Sequence, residues 1–210
     1  MHLRYFTSCI SKLTIDGDPF KPVIPRPKTQ HHQQPGERGY PVILKNQSTE
    51  ETELRAKILE KYGVDHFVSD KISVHRSVGE HRHPQCISKK YDYEKLKTVK
   101  TSIIIAVFNE GWMTLLRTIY SILHTTPEIL LEEVIIIDDF SSFDYLGAKF
   151  EEEISKLSRV KLVRNKKREG LIRTRIIGSK IAKGKTITFL DCHIECNEGW
   201  LEPLLGKVCS

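Results

Sequence analysis

The sequence predicts an α/β protein in which helices flank a mainly parallel, twisted sheet. From residue 101 onward, apolar runs of strand length alternate with segments whose apolar residues recur at helical spacing, and polar residues or glycine follow most runs. This alternation is typical of parallel strands joined by right-handed helical crossovers. With 210 residues, of which 39% are hydrophobic, the chain can form one domain with a sizeable core and some additional segment.

The first hundred residues are predicted to precede that sheet. Residues 18–40 are rich in proline, histidine and glutamine, so we assign residues 1–48 to a stem or linker. Residues 49–62 carry apolar side chains at helical spacing and are followed by Gly63, which predicts a helix with one apolar face. Residues 49–100 are therefore expected to form a helical and loop segment.

Four apolar runs are predicted to be the strands of the sheet: residues 101–107, 133–137, 160–163 and 186–190. Apolar residues from Leu115 to Leu123 repeat at helical spacing after the first strand. A later helix is expected to begin at Gly170 and to end by Gly184. We assign residues 101–210 to this domain.

Polar residues follow these strands directly, at the edge where open α/β sheets bind ligands. Right-handed crossovers would bring the strand ends to one side of the sheet. We therefore expect one cleft to be lined by four side chains: Asn109, Asp139, Arg168 and Asp191.

Two interpretations of the pair Asp138 and Asp139 remain open. Their carboxylates are suitable acceptors for ribose or base hydrogen-bond donors, but an aspartate after a strand often only caps the next helix. The capping candidates for that helix also include Ser141, Ser142 and Asp144.

The triplet Asp191-Cys192-His193 follows the last predicted strand. In an extended segment the side chains at i and i+2 point the same way, so Asp191 and His193 can meet one divalent cation. A carboxylate oxygen with an imidazole nitrogen suits manganese or zinc better than calcium. Such triplets arise often by chance, and the interpretation depends on context.

That context is the chemistry of a nucleotide-sugar donor, whose diphosphate leaving group gains negative charge as the glycosidic bond breaks. A divalent metal and nearby cations neutralise such charge. The candidate cations are Arg168, Arg173 and Arg175. Glu195 and Trp200, which follow the triplet, are expected to have structural roles.

The overall composition excludes few classes of partner. A net charge of +6 permits a nucleic acid, a nucleotide diphosphate or an acidic surface as partner, and charge alone gives no reason to choose nucleic acid. The five cysteines contain no C-x-x-C pair and define no zinc ribbon, although a bridge from Cys86 remains open. No apolar stretch approaches the ~20 residues of a membrane span, and the first ten residues lack the apolar core of a signal peptide.

Several ordered motifs resemble one known family. They are TSIII (101–105), NEGW (109–112), TLLRT (114–118), DDFS (138–141), REGLIR (168–173) and FLDCH (189–193), with residues 197–205 continuing the match. Together they are similar to the polypeptide N-acetylgalactosaminyltransferases. The resemblance covers nearly everything from Thr101 to Val208, and weaker echoes occur between residues 39 and 86.

The resemblance implies a GT-A-type, Rossmann-like fold and manganese-dependent transfer of N-acetylgalactosamine from UDP-GalNAc to Ser or Thr of polypeptides, with retention at the anomeric carbon. It implies that Asp191 and His193 bind the metal, that Asp139 and Arg168 contact the uridine part of the donor, and that Gly170 lets the backbone approach it. No catalytic residue follows from the motifs. The resemblance also implies a Golgi location.

Three departures from the family pattern affect these expectations. Phe108 stands where the family often has His or Tyr, which removes a polar contact to the nucleotide. Gly79-Glu80 replaces the usual Pro-Asp of the preceding segment. In the family a further metal-binding His, the acceptor groove, the disulfide partner expected for Cys86 and a lectin domain lie downstream of the segment that ends here at Ser210, so we expect weak metal binding and no transfer by this chain.

The sequence therefore predicts the first half of a GT-A catalytic domain, truncated before its acceptor side. The alternative function is a non-catalytic protein that binds a nucleotide sugar or a partner enzyme. We expect no nucleic-acid partner.

Overall fold

The computed structural model describes residues 18–28 and 34–209, so parts of the predicted stem lie outside the described residues. Four strands form one sheet: β1 (Thr101–Val107), β2 (Leu131–Asp138), β3 (Val160–Arg164) and β4 (Thr186–Leu190). Their order is β3-β2-β1-β4, and every pair is parallel. The predicted α/β class and parallel sheet are confirmed.

Eight α-helices accompany the sheet in the described residues. They are α1 (Thr49–Tyr62), α2 (His66–Ser69), α3 (Pro84–Ile87), α4 (Tyr93–Leu96), α5 (Trp112–Thr125), α6 (Ala148–Ser155), α7 (Leu171–Ile181) and α8 (Glu202–Val208). No helix of residues 18–28 and 34–209 combines the length and hydropathy needed to cross a bilayer.

The two central strands are buried on both faces, which explains their unbroken apolar sequence. Ile103, Ile105 and Ile136 pack on the side that α5 and α6 cover, whereas Ile104 and Ile135 face the opposite side. Within the described residues β4 is paired only with β1, and alternate side chains of this strand are exposed. The sheet therefore has a solid centre and an open edge at β4.

Helix α1 has the bounds that the sequence predicts. Ser48 and Glu51 form a reciprocal capping box at its start, and Gly63 ends it in the left-handed conformation at φ 68°. The expected apolar face is not buried, because Leu54 and Leu59 remain about half exposed. Local capping rather than core packing therefore defines this helix.

The part of the stem that the structure describes lies along the end of α5. The Ile24 amide donates to the Leu123 carbonyl at 3.1 Å, and the Val23 amide donates to the Thr126 carbonyl at 3.3 Å. The His124 imidazole donates through Nδ1 to the Ile24 carbonyl at 2.8 Å. This stretch is thus attached to the domain by backbone hydrogen bonds.

The predicted capping of the helix after β2 is wrong. α6 begins only at Ala148, and its N-cap, Gly147, has no side-chain cap. Ser141 and Ser142 instead hydrogen-bond Asn109 across the loop after β1, and Asp144 begins a short 3₁₀ turn. The two serines therefore connect the loops after β1 and β2, because the loop after β2 turns back over the sheet before α6 begins.

Candidate functional site

The carboxyl ends of β1, β2 and β4 lie side by side because the strands are parallel neighbours. Val107 pairs with Asp138, and Ile105 pairs with Leu190. The residues that follow these strands therefore share one edge of the sheet, as the sequence predicts.

The buried Asp139 is the centre of a hydrogen-bond cluster at that edge, which we call the Asp139 cluster (Asp139, Asn165, Arg168, Glu169 and Gly170). Oδ1 of Asp139 accepts from the Asn165 amide at 2.7 Å and from the Glu169 backbone N–H at 2.9 Å. Oδ2 accepts from the Gly170 backbone N–H at 2.8 Å and from the Arg168 guanidinium. Four donors match the roughly four lone-pair sites of a carboxylate, so Asp139 fixes the loop before α7.

Gly170 begins α7 in a conformation that an L side chain rarely adopts, with φ 84° and ψ 164°. Among the described residues other than its chain neighbours, no atom lies within 4 Å of the position that a Cβ would take. The surface above Gly170 is therefore open to close approach by a ligand.

Arg168 places its guanidinium carbon 3.6 Å from the centroid of the Phe108 ring. Arg168 is half exposed, whereas Asp139 is 2% exposed. A cavity of about 60 Å³ lies beside them, lined by Ala106, Val107, Phe108, Asp139, Arg168 and Leu171. The Phe108 ring therefore holds the Arg168 guanidinium at this edge of the sheet. The guanidinium still has N–H donors for an anion or a base.

Asp138 has a different environment. Its carboxylate pairs with Arg164 at 2.5 Å and accepts from the Ser141 backbone N–H at 3.1 Å. It is buried. Asp138 therefore holds the loop after β2 in place.

Asp191 lies exposed after β4, with a single recorded partner in the described residues. Its Oδ1 accepts from Arg175 of α7 at 2.8 Å. The side chain of Asp191 is 52% exposed. Arg173 points away into solvent and comes no closer than 4.0 Å to Glu169, so of the two helix arginines only Arg175 reaches the strand ends.

His193 contacts a carboxylate that the sequence analysis did not select. Its Nδ1 lies 3.0 Å from Oε2 of Glu110, and the Cys192 thiol lies 3.3 Å from the same oxygen. Glu110 is largely buried, whereas the His193 imidazole is 58% exposed. The loop after β1 and the loop after β4 thus meet at this carboxylate.

Glu110, Cys192 and His193 bring three potential ligand atoms within 4.8 Å of one another. Burial, with a smaller contribution from Glu110, raises the pKa of Cys192 to about 12, so this sulfur is a protonated thiol that donates to Glu110. Hydrogen bonds to Oε2 of Glu110 connect the three groups.

Asp191 and His193 each keep one potential ligand atom without a hydrogen bond in the described residues. Arg175 occupies one oxygen of Asp191 and leaves the other available, and Glu110 occupies one imidazole nitrogen of His193 and leaves Nε2 available. Both side chains are accessible from solvent. One carboxylate oxygen and one imidazole nitrogen form a ligand set that suits manganese or zinc.

The structure joins some of the selected residues and separates others. Asp139, Arg168 and Gly170 belong to one cluster beside a cavity, whereas Arg175 of α7 reaches Asp191 and Glu110 reaches His193. Asn109 holds the loop after β2 and is not among the residues that line the cavity beside Asp139. The sequence analysis missed Asn165, Glu110 and the stacking role of Phe108. Of these three, only Glu110 had a sequence signal, which was the Asn-Glu pair directly after β1.

The fold and this edge define a Rossmann-like α/β protein, a class that binds ligands at the carboxyl ends of its strands. A model of glycosyl transferase family 2 matches residues 102–210, just over half of the chain. The chain belongs to glycosyl transferase family 2.

The individual relatives of the chain belong to a narrower family within this group. The chain is 46% identical to mouse polypeptide N-acetylgalactosaminyltransferase 12 over 90% of this chain and 32% of the relative. It is 50% identical to mouse polypeptide N-acetylgalactosaminyltransferase 4 over 75% of this chain and 27% of the relative. The resemblance to the polypeptide N-acetylgalactosaminyltransferases is confirmed, and this chain spans about a third of the length of these relatives.

A solved structure agrees with the sequence comparison. The crystal structure of GalNAc-T7 with UDP, GalNAc and Mn²⁺ matches with a TM-score of 0.76 and 34% identity, over 90% of this chain and 34% of that one. The expected GT-A fold is confirmed by this match.

Proposed function

We propose that this chain is the donor-binding part of a manganese-dependent polypeptide N-acetylgalactosaminyltransferase. The reaction is transfer of N-acetylgalactosamine from UDP-GalNAc to Ser or Thr of a polypeptide, with retention. The observation that carries the proposal is that the Asp139 cluster and the exposed Asp191 and His193 all follow strand ends at one edge of the sheet. The relatives named N-acetylgalactosaminyltransferases support the choice of sugar and acceptor.

In this proposal the Asp139 cluster receives the uridine. Asp139 fixes the loop, Arg168 offers its remaining donors to the base or ribose, and Gly170 permits close approach. Phe108 supplies no polar contact to the nucleotide. Its ring instead limits the orientation of the Arg168 guanidinium.

Asp191 and His193 would hold the manganese ion. The ion supplies charge neutralisation at the donor diphosphate. Arg175 lies near enough to Asp191 to add positive charge at the same place. The relative solved with UDP, GalNAc and Mn²⁺ supports this choice of metal.

Because the chain spans about a third of its relatives, transfer is proposed for a longer form. The alternative is a non-catalytic protein that binds a nucleotide sugar or a partner enzyme. Both functions predict donor binding, and only the first predicts transfer.

We propose that residues 1–48 are a stem, residues 49–100 a connecting segment and residues 101–210 the donor-binding half. The proposed location is the Golgi.

Calorimetric titration of the chain with UDP, with and without Mn²⁺, tests the binding proposal. We expect binding that requires Mn²⁺ and that Asp191→Ala abolishes, because the carboxylate ligand is lost. Glu94→Ala, which removes a surface carboxylate paired with Lys97, is the matched control and should bind as the wild type does. Equal UDP affinity in the wild type and Asp191→Ala would contradict the site.

Transfer is tested in a longer form that includes this segment. Asp191→Ala and His193→Ala are each expected to abolish manganese-dependent transfer of N-acetylgalactosamine to a Ser/Thr peptide. Transfer retained by both variants would contradict their assignment. UDP binding without any transfer in the unmodified longer form would support the non-catalytic alternative.

A further inference from the structure

We propose that Glu110 is a positioning residue for the metal site. Its carboxylate holds the His193 imidazole as the Nδ1–H tautomer and so keeps Nε2 as the metal-binding atom. The identity of the cation rests on the proposed function, whereas the effect of Glu110 on the imidazole does not.

The hydrogen bond itself defines the tautomer. An ionised carboxylate only accepts, so the proton between Oε2 of Glu110 and Nδ1 of His193, 3.0 Å apart, belongs to the imidazole. A neutral imidazole that carries its proton on Nδ1 has its lone pair on Nε2. No recorded hydrogen bond from the described part of the chain reaches Nε2, and the ring is more than half exposed. The free nitrogen is therefore accessible to a cation.

Glu110 is itself fixed at the start of α5. Its Oε1 accepts from the Gly111 backbone N–H at 2.8 Å, and the Cys192 thiol donates to Oε2 at 3.3 Å. The Glu110 backbone carbonyl accepts from the Tyr145 hydroxyl at 3.0 Å. These contacts connect the loops after β1, β2 and β4, so the orientation of the imidazole depends on the relative position of three strand ends.

A role in stability alone accounts poorly for this arrangement. An ion pair or hydrogen bond to a half-exposed imidazole contributes little to the free energy of unfolding. Carboxylates that receive the second N–H of a metal-binding histidine raise its basicity and fix its orientation, and their loss typically weakens metal binding about 10–100-fold. Orientation of His193 is therefore the property on which Glu110 is expected to act.

The first experiment measures the tautomer in the metal-free chain. Long-range ¹H–¹⁵N NMR of ¹⁵N-histidine-labelled protein distinguishes Nδ1–H from Nε2–H, and His193→Gln assigns the signal. We expect Nδ1–H in the wild type and in Glu110→Gln, whose amide oxygen still accepts, and a shift to Nε2–H in Glu110→Ala. Glu128→Ala, which alters a surface ion pair with Lys21, is the matched control. Nε2–H in the wild type overturns the inference, whatever the Glu110 variants show.

The second experiment measures Mn²⁺ affinity by electron paramagnetic resonance of the free ion. Glu110→Ala is expected to bind Mn²⁺ about 10–100-fold more weakly, whereas Glu110→Gln retains most of the affinity. Equal affinity of the wild type and Glu110→Ala overturns the positioning role. A wild type that binds no Mn²⁺ while showing the Nδ1–H tautomer contradicts the metal assignment in the proposed function and leaves control of the imidazole by Glu110 established.

Discussion

Asp139 and Asp191 show how the same residue type at equivalent strand ends acquires different chemistry. Asp139 follows a central strand, is 2% exposed and accepts four hydrogen bonds. Asp191 follows the outer strand β4, is exposed and has one recorded partner among the described residues. Burial and saturation make Asp139 an organiser of the loop before α7, whereas exposure leaves the Asp191 carboxylate accessible from solvent.

His124 is a residue whose protonation should affect stability. It is buried at the end of α5, where Nδ1 donates to the Ile24 carbonyl and Nε2 lies 3.0 Å from His75. Burial is the main cause that lowers the pKa of His124 from 6.5 to about 4, although its hydrogen bond to Ile24 opposes the change. The folded chain therefore keeps this imidazole neutral at a pH where the unfolded chain protonates it.

Because the unfolded state binds the extra proton, the free energy of unfolding should fall as the pH drops from 6.5 to about 4. We expect this contribution to be on the order of 2 kcal/mol, and it should be fully present above pH 6.5. Urea unfolding of the wild type and His124→Gln across this range measures it. His124→Gln should lose the pH dependence of the free energy of unfolding that His124 causes. His81→Gln, which changes an exposed histidine, should retain it. Identical slopes for wild type and His124→Gln would contradict this prediction.

At the scale of elements, α7 lies unusually close to the sheet because of Gly178. A Cβ at this position would lie 2.5 Å from Cγ2 of Ile104, a fully buried residue of β1. The sequence predicts a helix here from its boundaries, and helix propensity alone would favour alanine. The need for glycine arises only where the helix and the strand meet.

Gly178→Ala is therefore expected to destabilise the chain by about 2 kcal/mol, because overpacking against Ile104 outweighs the gain in helix propensity. The matched control is Gly206→Ala in α8, where the nearest contact of a Cβ would be Tyr91 at 3.4 Å. That change should leave the free energy of unfolding unchanged or raise it by up to about 1 kcal/mol. Chemical denaturation measures both variants, and equal effects would refute the role of close packing.

At the scale of the whole molecule, Glu195 connects segments far apart in the sequence. It accepts from Arg76 Nε at 2.8 Å and lies 3.6 Å from Arg117 Nε in α5. Arg117 also donates to the Ser69 and Ile72 carbonyls at 2.9 and 3.1 Å, and burial lowers its pKa. This network attaches the segment before the sheet to α5 and to the loop after β4, which agrees with the structural role expected for Glu195.

Glu195→Gln should cost on the order of 3 kcal/mol, because it leaves two partly buried arginines without their carboxylate. Hydrogen exchange should become faster in residues 69–78, since their attachment to α5 weakens. The control is Glu152→Gln, which alters an exposed pair with Lys156 and should change stability by less than about 0.5 kcal/mol. An equally small effect at both positions would exclude the network as a stabilising connection.

The sequence by itself determined the features that depend on local pattern. Alternating apolar runs predict the four parallel strands, the helical spacing of residues 49–62 with Gly63 predicts the bounds of α1, and the order of motifs predicts the family. Adjacency of the strand ends also follows, because parallel neighbours terminate at the same edge. These properties are encoded within short segments or follow from general rules of chain connection.

Only the tertiary structure decided which polar groups meet. Glu110 and His193 are 83 positions apart, and Asp139 and Asn165 are 26 apart, so no local pattern relates them. Their contacts depend on how far each loop turns back over the sheet, which also explains why Ser141 and Ser142 bind Asn109 rather than cap a helix. Burial and hydrogen-bond saturation are properties of the assembled sheet edge, and they separate the fixed Asp139 from the available Asp191.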